Sequence, residues 1–412
     1  MPIPAKVAVA LARPLADPAL GAAAAYVVDA TTGRVLLDHA GNSAASPAST
    51  AKILVAATAL HVLGATTRLR TTVVEAPNGD LVLVGAGDPT MTAAAAGGGY
   101  PIPARLTDLA TATARALRAG TASATATATP TGVTRPSGPA TLLIDDTAFA
   151  GPELADGWSP ADVTGGSVAP VEAAETDGGR YTPGVLPTSR TFTPALATGA
   201  AFRSALGAAG VQVGSVRLGR APAGSRTLAH VDSPTVSALV ERMLTTSDND
   251  IAEALGRLSA HASGRPATFA GAVQTVQATL SAIGVPEPVR GMHDASGLSR
   301  LDRVAPETIV GVLAAAAGPN HPELRPLLAA LPVAGFTGTV AGRFHSPDSV
   351  AAAGVARVKT GTLAGVGSLA GVVTDRSGRL LAFAILATPA SRSAGEEALD
   401  RVAAALAGCG CS

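Results

Sequence analysis

Short runs rich in apolar residues, separated by turn residues, predict short β-strands near both ends of the chain. Residues 22–39 read as a strand, a turn at Gly33 and a second strand. Near the C-terminus, residues 355–363, 368–375 and 380–387 read as three strands in hairpin succession. If strands from the two chain ends pair with each other, both ends contribute to a single antiparallel sheet.

Helical periodicity dominates the remainder of the two terminal parts. A helix is predicted to begin near Ser49, because apolar residues recur at three- and four-residue spacing as far as Leu60. Long helical patterns return after Pro234, and a final helix is predicted over residues 394–408. The order of these elements predicts an α/β fold in which an antiparallel sheet is flanked by helices.

The middle of the chain has a different character. A hairpin is predicted around Asn78, and short strands and helices alternate after it. The low-complexity residues 120–139 predict a flexible linker. We therefore predict a discontinuous domain of residues 1–70 and 236–412, which carries an inserted accessory unit of mostly β character over residues 71–235.

Composition narrows the classes of function. Hydrophobic residues make up 47% of the 412 residues, charged residues make up 15%, and the formal net charge is zero. Without an excess of basic residues, the sequence predicts binding neither to nucleic acid nor to anionic lipid. No run of about 18 apolar residues occurs, so no transmembrane segment is predicted. The seven histidines lack the spacing of metal ligands, and neither a metal nor a cofactor is predicted.

The two ends of the chain carry weak signals. The first twenty residues hold a short apolar run broken by Arg13 and by prolines, which is too weak a pattern for an export signal. The protein is therefore either cytosolic or begins after an export segment that has been removed. Cys409 and Cys411 are separated by one residue, a spacing that rarely satisfies disulfide geometry, and they predict a frayed tail.

Lysine is rare in this chain, which makes its placement informative. Three lysines occur, Lys6, Lys52 and Lys359, whereas 27 basic residues are arginine. Lys52 follows Ser49 by three positions, so a helix places both side chains on one face. A serine hydroxyl becomes an effective nucleophile when a base removes its proton. Arginine stays protonated, but lysine can be that base if its pKa falls through burial and through a second cation, here Lys359.

Ser247 and Asn249, separated by one residue, form a second motif in front of a predicted helix. We expect Ser247 to relay a proton toward the leaving group and Asn249 to hold a substrate amide. Asp and Asn are also favoured at helix N-caps, so this segment has a purely structural interpretation as well. Capping and catalysis can coexist here.

The third motif, Lys359, Thr360, Gly361 and Thr362, lies on a predicted C-terminal strand. Its cation and hydroxyls suit a substrate carboxylate. The backbone N–H groups of Ser49 and Thr362 are suitable donors to an oxyanion, each worth about 3 kcal/mol in a transition state. Each motif alone is weak evidence, because it also fits an ordinary helix start, cap or strand. The three together are specific.

Together the three motifs resemble those of the penicillin-recognising serine acyltransferases, which include DD-peptidases, transpeptidases and serine β-lactamases. The surrounding sequence, such as GAGDPTM at 85–91 and SDNDIAEALGR at 247–257, is similar to one branch. That branch is the D-alanyl-D-alanine carboxypeptidase/endopeptidase family, the class C low-molecular-mass penicillin-binding proteins (peptidase family S13). The similarity covers about residues 22–390. It implies a penicillin-binding transpeptidase-like domain, and it implies that the insert is the family's extra domain.

The resemblance also implies an activity. A serine DD-peptidase would cleave D-Ala-D-Ala, or D-centred cross-links, of peptidoglycan stem peptides through an acyl-enzyme on Ser49, and β-lactams would acylate the same serine. This substrate implies an extracytoplasmic location in the cell envelope. Two alternatives remain open. A serine β-lactamase differs by fast deacylation, and a non-catalytic penicillin-binding scaffold or sensor keeps the fold without turnover.

Two substrate-binding residues are implied by the resemblance alone. In family members that cleave diaminopimelate-type peptides, an acidic residue shortly after a Gly-Trp pair and an arginine of an SGLSR segment recognise the free end of that side chain. The matching positions are Asp162 and Arg300. An acid for the ammonium and an arginine for the carboxylate is sound pairing chemistry. In the same segment, Asp294 and Ser296 are expected to organise a loop behind the site.

Overall fold

A computed structural model describes residues 2–94, 99–124, 140–182, 188–285 and 291–411. Within these ranges the strands, in chain order, are β1 Ala23–Asp29, β2 Val35–His39, β3 Arg68–Glu75, β4 Leu81–Val84, β5 Ala140–Asp145, β6 Val213–Leu218, β7 Arg226–Thr235, β8 Ala356–Leu363, β9 Val366–Thr374 and β10 Leu380–Ala387. The helices are α1 Pro4–Leu15, α2 Lys52–Val62, α3 Leu106–Ala124, α4 Pro160–Thr164, α5 Pro194–Ala208, α6 Val236–Thr246, α7 Asn249–Ala262, α8 Phe269–Ala282, α9 Pro306–Ala317, α10 Arg325–Ala330 and α11 Arg392–Ala407.

The two chain ends form one antiparallel sheet, as the sequence predicts. In the described part of the chain this sheet has the strand order β2-β1-β10-β9-β8. Strand β1 pairs with β10 along its whole length, from Ala23 opposite Ala387 to Asp29 opposite Leu381. Strands β9 and β10 are almost entirely buried, which explains why they read as continuous apolar runs in the sequence. Strand β8 is last in this order, and the backbone of residues 332–334 hydrogen-bonds along the first part of its outer side.

Helices cover both faces of this sheet. On one face, α1 and α11 pack against the sheet around Val7, Leu11 and Phe383. On the other face, α2 lies at the centre of a second apolar cluster that includes residues of α6 to α9. Every residue of α2 from Lys52 to Leu60 is buried, because helices surround it. Its lysine therefore sits inside an apolar layer, where a charge is costly.

A second sheet lies within residues 68–235. Among the described residues its order is β6-β5-β4-β3-β7, with β4–β5 and β5–β6 parallel and the other two pairs antiparallel. Strands β3 and β4 form the predicted hairpin around Asn78, and α3 and α5 pack with the sheet in a separate apolar cluster. Of the predicted linker, residues 120–124 continue α3, and the rest lies outside the described residues.

The segment between β5 and α5 returns from this second sheet to the first domain. Its Phe149 and Val171 pack in one cluster with Ala254 of α7 and Phe269 of α8. A buried ion pair of 2.9 Å joins Arg190 of this segment to Asp250 of α7. Residues of the segment that lie beside α7 are thereby held in place next to the start of that helix.

The C-terminal tail is not frayed, so that prediction from its spacing was wrong. Cys409 and Cys411 are buried in the cluster formed by α1 and α11, and the structure pairs them in a disulfide. The N–H of Ile3 donates to the carbonyl of Cys411, and the N–H of Arg376 donates to that of Cys409. The tail is ordered because α1 and the sheet cover it. None of the helices in the described ranges has the length and apolar character needed to span a membrane.

Candidate active site

Ser49 lies in a short 3-10 turn, Ala48–Ala51, that leads directly into α2. Lys52 is the first residue of that helix, and its Nζ lies 2.9 Å from Ser49 Oγ. The serine is half-buried and lines a cavity of about 590 Å³, whereas the lysine is fully buried behind it. The predicted serine–lysine pair is therefore formed, with the hydroxyl toward the cavity and the amine toward the interior.

Two further contacts determine how the amine is oriented. Lys52 Nζ lies 2.6 Å from Asn249 Oδ1 and 2.7 Å from the backbone carbonyl oxygen of Ser296. Both oxygens can only accept, so they take the two N–H bonds of a neutral amine. The remaining tetrahedral direction faces Ser49 Oγ. In the neutral state the nitrogen lone pair therefore points at the serine hydroxyl, which donates to it.

Burial supplies the electrostatic condition for this state. Desolvation lowers the pKa of Lys52 to about 8, although the carboxyl groups of Asp294 and Glu253 oppose the shift. Lys359 is also fully buried, and its pKa is lowered well below the usual range, first by desolvation and then by repulsion from Lys52. Two ammonium groups so placed do not readily carry charge together. Of the two causes predicted to lower the pKa of Lys52, burial is the dominant one.

The second motif joins the end of α6 to the start of α7. Asp248 provides the helix cap, since its Oδ1 accepts the N–H of Ile251 at 3.1 Å. Asn249 is free of that role. Its Nδ2 donates to the carbonyl of Ser167 at 2.9 Å, which fixes Oδ1 toward Lys52. Ser247 occupies the left-handed region, with φ of 59°, and lines the same cavity as Ser49.

The third motif forms the end of β8. Thr362 lines the cavity beside Ser49, and Thr360 shares a 2.8 Å hydroxyl contact with Thr339. Lys359 Nζ donates to the carbonyl of Thr360 at 2.7 Å. Lys359 is not among the residues that line the cavity. Its side chain lies on the same side of β8 as Gly361, which faces the turn that carries Ser49, but it is fully buried rather than exposed in the cavity.

Two glycines allow the backbone to approach the turn that carries Ser49. A Cβ at Gly361 would lie 2.7 Å from the carbonyl oxygen of Pro47 and would also overlap Ser368 Oγ. That hydroxyl donates to the same Pro47 carbonyl at 2.7 Å. Gly297 has φ of +77°, and a Cβ there would overlap the carbonyl of Ala48. Gly361 of the predicted motif is thus a packing requirement.

Asp162 and Arg300 form an ion pair with each other. Arg300 Nη2 lies 3.2 Å from Asp162 Oδ1, and the arginine side chain is 53% exposed. Asp162 is buried at the start of α4 and also accepts the backbone N–H and the hydroxyl of Ser159. These hydrogen bonds and Arg300 lower the pKa of Asp162 despite its burial. The pair lies outside the cavity lining, which nevertheless includes Ser167 from the same segment.

The sequence did not reveal the backbone acceptors of the site. The carbonyl of Ser296 contacts Lys52, and that of Ser167 contacts Asn249. Every residue type has a backbone carbonyl, so the sequence does not show which carbonyls take part. Asp294 holds the loop behind the site, as expected, because it accepts the N–H groups of Gly297 and Ser299. In the described part of the chain, no group of three or more His, Cys, Asp or Glu side chains is arranged to hold a metal ion.

Comparison with known proteins gives consistent matches over the whole chain. The model of the D-Ala-D-Ala carboxypeptidase 3 (S13) family matches residues 7–190 and 185–407. Carboxypeptidase Rv3627c of Mycobacterium tuberculosis is 41% identical over 417 residues, which cover 100% of this chain and 86% of the relative. The D-alanyl-D-alanine carboxypeptidase of Actinomadura sp. is 30% identical, covering 95% and 83%.

Among solved structures, penicillin binding protein 4 (dacB) from Haemophilus influenzae superposes with a TM-score of 0.75 and 22% identity, over 96% of this chain and 97% of that one. Its complex with a β-lactam superposes with a TM-score of 0.67 and 21% identity, over the same shares of the two chains. At this identity the superpositions show a common fold.

Proposed function

The chain belongs to the D-Ala-D-Ala carboxypeptidase 3 (S13) family and is a serine DD-peptidase, a hydrolase; we propose that Ser49 is its nucleophile and Lys52 its general base. One observation carries this assignment. Asn249 Oδ1 and the Ser296 carbonyl occupy two of the three directions around Lys52 Nζ, and Ser49 Oγ lies in the third at 2.9 Å. Lys52 is a buried amine with a lowered pKa, and its lone pair points at the serine hydroxyl. It is therefore arranged to remove the proton of that hydroxyl.

The reaction proceeds by acyl transfer. Ser49 Oγ attacks the carbonyl of a D-Ala-D-Ala bond while its proton moves to Lys52. The N–H groups of Ser49 and Thr362 stabilise the oxyanion, and both residues line the cavity. The proton then passes through Ser247 to the leaving amine, the C–N bond breaks, and an ester on Ser49 remains. Water supplies OH to the acyl carbon and returns a proton to Ser49.

Residues of β8 are proposed to bind a substrate carboxylate beside the buried amine of Lys359. Thr360 and Thr362 offer hydroxyls to a substrate carboxylate, and Gly361 keeps the strand close to Ser49. Burial, and then the charge of Lys52, lower the pKa of Lys359, and its Nζ donates to the Thr360 carbonyl. When Lys359 is protonated, its charge disfavours the protonated form of Lys52.

The substrates proposed are peptidoglycan stem peptides, and β-lactams are proposed to acylate Ser49 in their place. Such substrates imply that the protein acts in the cell envelope. Asp162 and Arg300 are proposed to receive the ammonium and the carboxylate at the end of a diaminopimelate-type side chain. The half-exposed Arg300 side chain beside a carboxylate with a lowered pKa supports that assignment. We also propose that residues 71–235 are an accessory unit inserted in the peptidase domain; its sheet includes β3, which begins at Arg68.

Incubation with a fluorescent penicillin tests the nucleophile. We expect a one-to-one adduct that mass spectrometry locates on Ser49, that persists for many minutes and that is absent in Ser49→Ala. Rapid turnover of the drug without a lasting adduct would identify a β-lactamase instead. Absence of labelling in a folded protein would identify a scaffold. Digestion of defined muropeptides then separates release of a terminal D-Ala from cleavage of cross-links.

A further inference from the structure

Three carboxyl groups lie behind Lys52, away from the cavity, and belong to none of the three motifs. Glu253 of α7, Asp294 and Asp302 are each fully buried, with 0% of the residue exposed. Buried carboxyl groups at this density are costly unless hydrogen bonds or shared protons stabilise them. Two of them, Glu253 and Asp294, accept backbone N–H groups next to one peptide carbonyl, and that carbonyl contacts the amine of Lys52.

That peptide group joins Ser296 to Gly297. Its carbonyl oxygen accepts from Lys52 Nζ at 2.7 Å, and its N–H donates to Asp294 Oδ1, also at 2.7 Å. The carboxylate, the peptide and the amine therefore form one chain of hydrogen bonds. A negative charge on the N–H side polarises the peptide, which makes its carbonyl a stronger acceptor. The preceding N–H, that of Ser296, donates to Glu253 at 2.8 Å, so the neighbouring peptide is fixed as well.

Asp302 explains how two buried carboxyl groups can be neighbours here. Burial next to Asp294 raises the pKa of Asp302 to about 10, so Asp302 keeps its proton. Its Oδ1 accepts the N–H of His293 at 2.6 Å. Its Oδ2 receives no hydrogen bond from a described donor. A side-chain hydrogen bond with Asp294 contributes to this raised pKa, so in that pair the protonated Asp302 is the donor and Asp294 the acceptor.

We propose that Asp294 is a positioning residue for the catalytic lysine, which acts through the Ser296–Gly297 peptide, and that Asp302 is its proton-bearing partner. Asp294 holds the carbonyl that takes one N–H of Lys52, and this leaves the lone pair on Ser49. Its negative charge also limits how far burial lowers the basicity of the amine. This inference rests on the proposed roles of Ser49 and Lys52.

Several other charged groups face Lys52 and must be considered in any pH profile. From α7 and its cap these are Glu253, Asp250 and Asp248, which favour the ammonium form. From β8 it is Lys359, whose own pKa is lowered by the charge of Lys52. Asp294 is the largest of the Coulombic influences that raise the pKa of Lys52. Neutralising it should therefore lower that pKa, whereas neutralising a group that is already protonated should not.

The decisive variant is Asp294→Asn, with the rate of penicillin acylation measured from pH 5 to pH 10. The acid limb reports the pKa of Lys52, because acylation requires the neutral amine. We expect the limb to move about half a pH unit or more toward lower pH. We also expect the plateau rate to fall about tenfold or more, because a neutral amide polarises the peptide less and its NH2 group cannot accept the N–H of Ser299.

Three further variants separate this role from a structural one. Asp302→Asn keeps a donor toward Asp294 and an acceptor for His293, so the acid limb should stay in place. Trp158→Phe removes the 2.7 Å hydrogen bond from the indole N–H to Asp294 without changing its charge, and the limb should again stay. Asp375 is a buried aspartate in the turn between β9 and β10 and serves as the matched control. Asp375→Asn should leave both the position of the acid limb and the plateau rate as in wild type.

Two results would overturn the inference. One is an unshifted acid limb in folded Asp294→Asn, which would leave that residue with a structural role. The other is a shifted limb in Asp302→Asn, which would mean that Asp302 is ionised; this second result can be obtained even if Asp294→Asn does not fold. If wild-type protein is not acylated on Ser49 at all, the proposed function fails instead, and the two failures are thereby distinct.

Discussion

Asn249 Oδ1 lies 2.6 Å from Lys52 Nζ, although 197 positions separate the two residues. The contact links the first turn of α7 to the first turn of α2. It is also directional, because Asn249 Nδ2 is committed to the carbonyl of Ser167. A neutral acceptor at this position orients the amine without holding it in the charged form.

Asn249→Asp should therefore slow acylation of Ser49 and move its acid limb to higher pH. A carboxylate 2.6 Å from Nζ favours the ammonium form, so the pKa of Lys52 should rise from about 8. Stopped-flow acylation by a chromogenic β-lactam between pH 6 and pH 10 measures the limb. Asn249→Ala serves as the comparison, since it should lower the rate without raising the limb. An acid limb at the same pH in both variants would contradict the assigned contact between Asn249 and Lys52.

The wild-type protein should show a pH profile set by Lys52. A pKa of about 8 leaves about a tenth of the amine neutral at pH 7, so acylation should rise nearly tenfold between pH 6 and pH 7 and level off above pH 9. The sign follows from the neutral amine being the reactive form. A rate that is flat from pH 6 to pH 9 would mean that another group accepts the proton.

Lys52→Met tests whether the amine is required for chemistry or only for structure. The substitution keeps an unbranched side chain in the apolar layer but leaves Asn249 Oδ1 and the Ser296 carbonyl without their donor. We expect acylation to fall about 10³-fold or more, and stability to fall by about 1–3 kcal/mol. Acylation kinetics and denaturant unfolding measure the two effects. Acylation within tenfold of wild type would remove Lys52 from its role as base.

The sequence was most informative where a reaction needs a side chain of one chemical type. Lys52 stood out because arginine cannot lose its proton, and Ser49, Ser247 and Asn249 stood out by their spacing. The sheet built from both chain ends was also predictable, because β8, β9 and β10 carry strong apolar patterns. These predictions depend on side-chain chemistry and periodicity, which the sequence states directly.

Other features depended on tertiary contacts that residue types do not encode. The Ser296 and Ser167 carbonyls could belong to any residue. The buried tail at Cys409 and Cys411 depends on cover from α1, which the sequence does not link to it. Lys359 is fully buried and does not line the cavity, a degree of burial that its place in a motif does not predict.

Gly361→Ala should displace β8 from the turn that carries Ser49. Its Cβ would lie 2.7 Å from the Pro47 carbonyl oxygen and 3.0 Å from Ala48 Cβ, and backbone on that side cannot easily yield. We expect a loss of about 1–3 kcal/mol in unfolding free energy and a fall in acylation. The matched control is Gly342→Ala, where a Cβ meets nothing within 4 Å and the backbone is not left-handed. Equal behaviour of the two variants would show that the close approach is not required.

Arg300→Ala should change substrate preference more than it changes chemistry. Arg300 and Asp162 form an ion pair 3.2 Å long outside the cavity lining, and the arginine side chain is 53% exposed. If the pair receives the free end of a diaminopimelate-type side chain, its loss removes a charged contact to the carboxylate and leaves Ser49 and Lys52 untouched.

The measurement compares kcat/KM for two stem peptides that differ only in this carboxylate, one carrying diaminopimelate and one carrying lysine. We expect Arg300→Ala to lower kcat/KM about tenfold or more for the first peptide, mainly through KM, and to leave the second within about twofold. Arg300→Lys should restore part of the loss, because it keeps the charge but not the paired hydrogen bonds. An equal loss for both peptides would instead assign the pair to holding the segment around α4, since Arg300 also donates to the Gly157 carbonyl at 3.2 Å.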